Sequence, residues 1–231
     1  MKRLMALTTG MMILLMSGGC YTVTGGPLTG AQKADELARS VALASGAAVW
    51  PRVSTVAFTF VVREGADVKV SRAHLWNMRT GTDIITVGGK TTTIDLNHPA
   101  ADDPADTELQ KAWAEDTQWL LTPLRLFVPG VKREYLGSRE VAGKNYEILH
   151  LSFDNTSAMT PEPGDQYDLY IDPYTNLIAY SDYIPAAATP SQNFARATWE
   201  EYRHIGGITL ATHHRMPAKT VTLENLSLTV E

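Results

Sequence analysis

His213 and His214 stand side by side, and adjacent histidines raise the question of a metal. Neighbours in a strand point to opposite faces, so this pair cannot readily close on one ion, and surface or rim positions are the expectation. His98, Asp102, Asp103 and Asp106 supply the oxygen-rich set that calcium takes, but without the ordered spacing of a calcium loop. A solvated acidic loop is the expectation there. Asp168 and Asp172 alternate with Tyr167, Leu169 and Ile171, which places them on the solvent face of a strand. The chain has no Gly-x-Ser-x-Gly elbow, no phosphate-cradling glycine loop and no His-Glu-x-x-His helix. These residues point away from the commoner enzyme classes, and neither a metal nor a cofactor is expected. A hydrolase with a dispersed site is the weaker reading.

Cys20 is the only cysteine, and its chemistry is set by what precedes it. Lys2 and Arg3 give a positive start, Leu4 to Met16 form an apolar stretch, and Ser17-Gly18-Gly19 are small residues of the kind that precede a cleavage site. That stretch is too short for the ~30 Å of hydrocarbon a transmembrane helix must cross, so it reads as a signal and not an anchor. Ser17-Gly18-Gly19-Cys20 resembles the bacterial lipobox, in which the cysteine becomes the lipidated first residue. Residues 1–19 are thus expected to be a signal peptide, 20–28 a lipidated tether, and 29–231 one domain. The tether, with Gly25-Gly26-Pro27, would reach roughly 15 Å and keep the domain near the membrane.

The whole chain carries a net charge of −5, and removing Lys2 and Arg3 makes the mature form more negative, about −7. That balance argues against nucleic acid or an anionic lipid surface as the main partner. With its only cysteine lipidated the domain has no disulfide, so an apolar core must hold it in an oxidising compartment.

The elements that would position any site follow from periodicity. Thr29-Gly30-Ala31-Gln32 has capping-box spacing and opens a helix to about Val49, with Ala34, Leu37, Ala38, Val41 and Ala48 on one face. From Val53 the period becomes two: Val56, Phe58, Phe60 and Val62 face one way, Thr55, Thr59 and Arg63 the other. Val68, Val70, Trp76 and Met78 repeat the alternation, and shorter strands are expected over 83–87 and 91–96. Thr107-Glu108-Leu109-Gln110 reads as a second capping box, with a helix ending before Pro123. The C-terminal half reads as a meander, with strands over 133–139, 144–153, 167–171, 177–183, 195–205 and 208–215. Gly206-Gly207 is a two-residue hairpin signal, and the phase slip at Glu224-Asn225 in the last strand indicates a bulge. The fold class is mainly β (α+β): an incomplete antiparallel β-barrel of about ten strands with two covering helices.

A long curved sheet with only two helices leaves room on its concave face. Phe58, Phe60, Leu149, Leu151, Leu169 and Ile171 are candidates for the floor of a cavity there. Trp113 and Leu120 face inward from the second helix, which is expected to act as a cover.

The helix, Ala47-Ala48-Val49-Trp50 and the strand that follows resemble the opening of the outer-membrane lipoprotein-sorting superfamily, the Lol carrier and receptor proteins. Tyr167 to Pro173, and Trp199-Glu200-Glu201-Tyr202 through Gly206-Gly207-Ile208, resemble its C-terminal strands. Trp119-Leu120-Leu121-Thr122-Pro123-Leu124 is similar to a stretch of uncharacterised members. The resemblance implies an apolar interior that takes acyl chains, and the lipobox is more like the membrane-bound receptor than the soluble carrier. It carries over no ligand-gripping residue. The expected function is a non-catalytic, membrane-anchored lipoprotein that binds an acyl chain or a lipoprotein; the alternative is an envelope scaffold lipoprotein with a filled core. Tyr21, standing where aspartate signals inner-membrane retention, points by the same resemblance to the outer membrane, facing the periplasm.

Overall fold

The structure, a computed structural model, describes residues 28–98, 104–154, 164–186 and 195–231. The signal segment, Cys20 and the tether up to residue 27 lie outside the described residues, as do Asp102 and Asp103.

The first helix, α1 (Gly30–Ala44), starts on the expected capping box. The Thr29 N–H donates to Gln32 Oε1 at 2.9 Å and the Gln32 N–H returns to Thr29 Oγ1 at 3.3 Å. It stops at Ala44, short of the expected Val49, so Ala48 is exposed and belongs to no helical face. Gly46 explains the stop. Its φ is +94°, and a Cβ on it would lie 2.4 Å from the Gly207 carbonyl oxygen, so the chain must turn where a hairpin presses against it.

Strands β1 (Val53–Glu64), β2 (Asp67–Asn77), β3 (Thr82–Val87) and β4 (Lys90–Asp95) form a meander. Helix α2 (Pro104–Leu121) follows. It begins three residues before Thr107, with a proline in the first turn, where the missing N–H costs nothing. The Thr107–Gln110 pattern therefore lies inside the helix. Gln110 instead donates to the carbonyls of Asp95 (2.7 Å) and His98 (3.0 Å), fixing the start of α2 to the end of β4. Thr122–Leu124 is a 3-10 turn, and Pro123 stops the helix as the sequence predicts.

The second half contains β5 (Val131–Val141), β6 (Lys144–Phe153), β7 (Gln166–Ile171), β8 (Ile178–Ile184) and β9 (Ala195–Thr198). Then come β10 (Arg203–Ile205), β11 (Ile208–Leu210), β12 (His213–Arg215) and β13 (Thr220–Val230). The described residues thus hold thirteen strands and not about ten, because the stretches 195–205 and 208–215 each break in two. Glu201, with φ +52°, interrupts the first of them. The bulge in β13 is present: Asn225 has φ +53° and the pairing with β1 shifts register between Ala57 and Thr59.

All pairings are antiparallel. One sheet has the order β12-β13-β1-β2-β3-β4 and the other β5-β6-β7-β8-β9, with β10-β11 as a separate hairpin. The two large sheets meet where Glu200 bridges His213 and the Arg215 N–H donates to Thr198 Oγ1 at 3.0 Å. No pairing among the described residues joins β4 to β5, so the barrel is incomplete, with the helices over its concave side. Helix α1 packs on β5 and β6. Its Ala34, Ala38 and Val41 share a core with Leu126, Leu149, Leu151, Leu169 and Ile171. On the other side, Leu120 and Leu121 of α2 share a core with Val56, Phe58, Phe60, Trp76 and Val221.

Candidate functional site

Between α2 and the two sheets lies a cavity of about 560 Å³. Its apolar wall comes from Phe60 and Val62 of β1, Val70 of β2, Trp119 of α2, Leu169 of β7 and Trp199 beyond β9. The polar tips of Trp199, Tyr183 and Tyr167 are occupied within the protein. Trp199 Nε1 donates to Ser181 Oγ at 3.0 Å, the Tyr183 hydroxyl donates to Asp165 at 2.9 Å, and Gln118 reaches the hydroxyl of Tyr167. What these side chains offer to the cavity is therefore mainly ring surface.

Of the eight residues expected to line such a space, Phe60 and Leu169 do so. The other six are packed in the interior. Leu149, Leu151 and Ile171 are fully buried in the core that α1 covers, and Leu120 is fully buried on the inner face of α2. Phe58 stacks on the His74 ring at 4.6 Å, and Trp113 meets Trp76 edge-on at 5.2 Å. Trp113 faces inward, as expected, but toward Trp76 of β2 and not toward the cavity, and Leu120 is buried in the same core. Nor does α1 contribute to the lining. Its short side chains bring it close enough to the five-stranded sheet to fill that half.

Four polar residues that sequence reasoning passed over hold α2 in place. Arg72 donates through Nε (2.7 Å) and Nη2 (2.5 Å) to the Asp116 carboxylate. The His74 ring lies 2.9 Å from the same carboxylate through Nε2 and 2.7 Å from Asp83 through Nδ1. The side chains of His74, Asp83 and Asp116 are fully buried. Both ring nitrogens face acceptors, which only the doubly protonated imidazolium can satisfy. Burial alone would lower the pKa of His74; the hydrogen bonds and charges of Asp116 and Asp83 outweigh it, and the net shift is upward. With His74 protonated, two cations meet two carboxylates and the node is neutral.

A signal for these residues is present in the sequence. Arg72 and His74 lie in phase with Val70 and Trp76 on β2, and Asp116 lies three residues after Trp113 and four before Leu120 on α2. Each is a polar residue at a position whose period assigns it to the core.

Arg125 completes the anchoring of α2. Its guanidinium lies 5.2 Å from the Trp113 ring and 5.8 Å from the Trp76 ring, donates to Thr117 Oγ1 at 3.2 Å, and is pushed down to about 10 by burial. One face of α2 is thus fixed to β2, and Glu115, Gln118 and Trp119 of the helix, with Thr122 just beyond it, line the cavity.

The histidine pair behaves differently from expectation. His213 is half-buried and faces Glu200 at 3.2 Å. His214 is fully buried and not at the surface, because β12 turns it between Trp119 (5.1 Å) and Trp199 (4.5 Å). Burial pushes its pKa down to about 3, so it is neutral. It backs the aromatic wall of the cavity. Asp168, expected on a solvent face, is instead buried, paired with Arg139 and His150, both at 2.8 Å, on a face that also holds the buried Tyr170. His98 pairs with Asp95 at 2.8 Å on the surface, and Asp106 lies in the first turn of α2. No group of metal-ligating side chains occurs among the described residues.

No family model matches this chain, and no curated protein matches it. Solved structures similar to it include a DUF1329 family protein from Desulfovibrio piger, 11% identical over 87% of this chain and 94% of that one, with a TM-score of 0.47. A LolA superfamily protein from Nitrosomonas europaea is 10% identical over 84% and 94%, also with a TM-score of 0.47. An outer membrane lipoprotein-sorting protein domain from Vibrio parahaemolyticus is 10% identical over 86% and 93%, with a TM-score of 0.46. The last two carry the name of the superfamily that the sequence resembles. At such identities and TM-scores, these likenesses bear no weight for what the chain does.

Proposed function

We propose that this chain is a lipid-anchored envelope protein that holds an apolar ligand, an acyl chain or the acylated end of a lipoprotein, and performs no chemistry on it. One observation carries this reading: the space between α2 and the sheets is open, and ring and aliphatic surfaces line it. Its volume of about 560 Å³ falls within the roughly 300–1,000 Å³ typical of small-molecule sites. A wholly packed scaffold would leave no such space. The anchor is Cys20, and the single domain begins with α1. The membrane is the outer one, with the domain on its periplasmic side.

Two measurements test the reading. Lipids extracted from gently purified protein should include an acyl-bearing species by mass spectrometry, and a neutral polarity-sensitive dye should be taken up and then displaced by that species. A protein that carries no lipid and takes up no dye is not a carrier. Cys20→Ser should leave the domain folded and release it from membranes; unchanged membrane association would remove the anchor.

A further inference from the structure

We infer that the cavity selects an amphiphile whose polar end is a cation, an alkylammonium, over one ending in a carboxylate. This rests on the proposed reading of the cavity as a binding site. The charged side chains of the lining mostly satisfy one another. Arg72 is held by Asp116, and Lys69 lies 3.9 Å from Glu64 and 3.4 Å from Asp67. Asp165 accepts from the Tyr183 hydroxyl at 2.9 Å and the Ala186 N–H at 3.2 Å. Lys219 is exposed, at the solvent end of the lining. Glu115 remains. It is half-buried on α2, lines the cavity, and has neither an ion pair nor a hydrogen bond among the described residues.

Its surroundings suit a cation. Glu115 lies near enough to Arg72 and to Tyr167 to act on both electrostatically, which puts it on the same wall of the cavity as those two residues. Because the node of Arg72, His74, Asp83 and Asp116 is at most neutral, Glu115 makes that wall negative. Trp119 and Tyr167 present ring surface in the same lining, and ring faces attract a desolvated cation, as the Arg72 guanidinium over the Phe60 ring at 5.3 Å already shows. The outer edge of the Arg72 guanidinium offers a donor, but Asp116 has already neutralised its charge. A ligand carboxylate beside Glu115 meets an uncompensated charge of its own sign, whereas an ammonium meets its complement. Leu169, Ala197 and Val221 add uncharged surface to the lining.

The test uses the full-length protein and three probes of equal chain length, dodecylammonium, dodecanol and dodecanoate. Each displaces the neutral dye N-phenyl-1-naphthylamine at concentrations below aggregation. The ammonium should displace the dye at roughly tenfold lower concentration than the carboxylate, with the alcohol between, as for one charge-assisted contact. Glu115→Gln should erase that difference, Glu115→Asp should retain part of it, and Lys219→Gln should enlarge it. Thermal melts of the same variants show that each remains folded. Equal displacement by all three probes, a preference for dodecanoate, or a difference that survives in folded Glu115→Gln overturns the inference while leaving the cavity a binding site. Failure of the wild type to take up the dye at all sinks the binding reading itself.

Discussion

Helix α1 meets the five-stranded sheet with Ala34, Ala38, Val41 and Ala42, side chains short enough for helix and sheet to approach closely. Helix α2 meets the six-stranded sheet with Trp113, Asp116, Thr117 and Leu120. Two of these are bulky, and Asp116 arrives charged and must find partners. The consequence differs on the two sides. Under α1 the interior is closed by aliphatic contact. Beside α2 the helix is held at a distance by a tryptophan pair and an ionic node, and open space remains next to it. The comparison teaches that a cavity need not come from missing residues. Here it accompanies a helix anchored to β2 by large and charged groups.

The largest expected effect tests the anchoring. Asp116→Ala leaves Arg72 and His74 facing no carboxylate but Asp83, and should lower unfolding free energy by about 3–5 kcal/mol in denaturant titrations. A loss below about 1 kcal/mol would mean that apolar contact alone holds α2, as it holds α1. On the filled side, Leu151→Ala should cost about 3 kcal/mol by leaving a void among Leu149, Leu169 and α1, while dye affinity stays unchanged in the folded protein. A matching loss of dye binding would show that the two halves share one space. A smaller effect on stability, with a large one on binding, is expected of Ala197→Leu. The added atoms enter the cavity, so stability should stay within about 1 kcal/mol while dye capacity falls. Destabilisation of 1–3 kcal/mol, the usual result of overpacking, would mean that no open space exists there.

The smallest effect is on pH dependence, and the two buried histidines oppose each other. His74 has a raised pKa, so the native state keeps a proton that the unfolded chain releases near pH 6.5. Its contribution is full below about pH 6.5 and is lost as pH rises through the folded pKa. His214, at about 3, is neutral in the native state while the unfolded chain is protonated below about pH 6.5, so stability is lost as pH falls from there toward 3. Thermal melts between about pH 4 and 9 should decline on both sides of a maximum. His74→Gln should remove the alkaline decline and leave the acid one. A wild type without alkaline decline would show that His74 is neutral in the node.

Local rules carried much of the fold. The Thr29 capping box, the alternation of β1, the limits of β6 and the slip at Glu224-Asn225 depend on residues a few positions apart, and each lies where the sequence places it. The Thr107 box misled because Pro104 and the grip of Gln110 on β4 move the start of α2, and that grip is a tertiary contact. Phe60 and Leu169 reach the cavity while Phe58 and Ile171, with the same alternation on the same strands, do not.

By itself the sequence determined which residues turn inward, since a period of two or 3.6 is a property of neighbouring positions. It placed Arg72, His74 and Asp116 on core faces through that same period. Which of the inward residues meet was decided only in three dimensions. Arg72 and Asp116 are 44 positions apart, and their contact depends on the register of β2 with β1 and β3 and on how closely α2 can approach the sheet. Those quantities follow from the summed volumes and charges of side chains brought together from distant parts of the chain, which no local spacing contains. The same holds for the cavity, which is the space that packing did not fill.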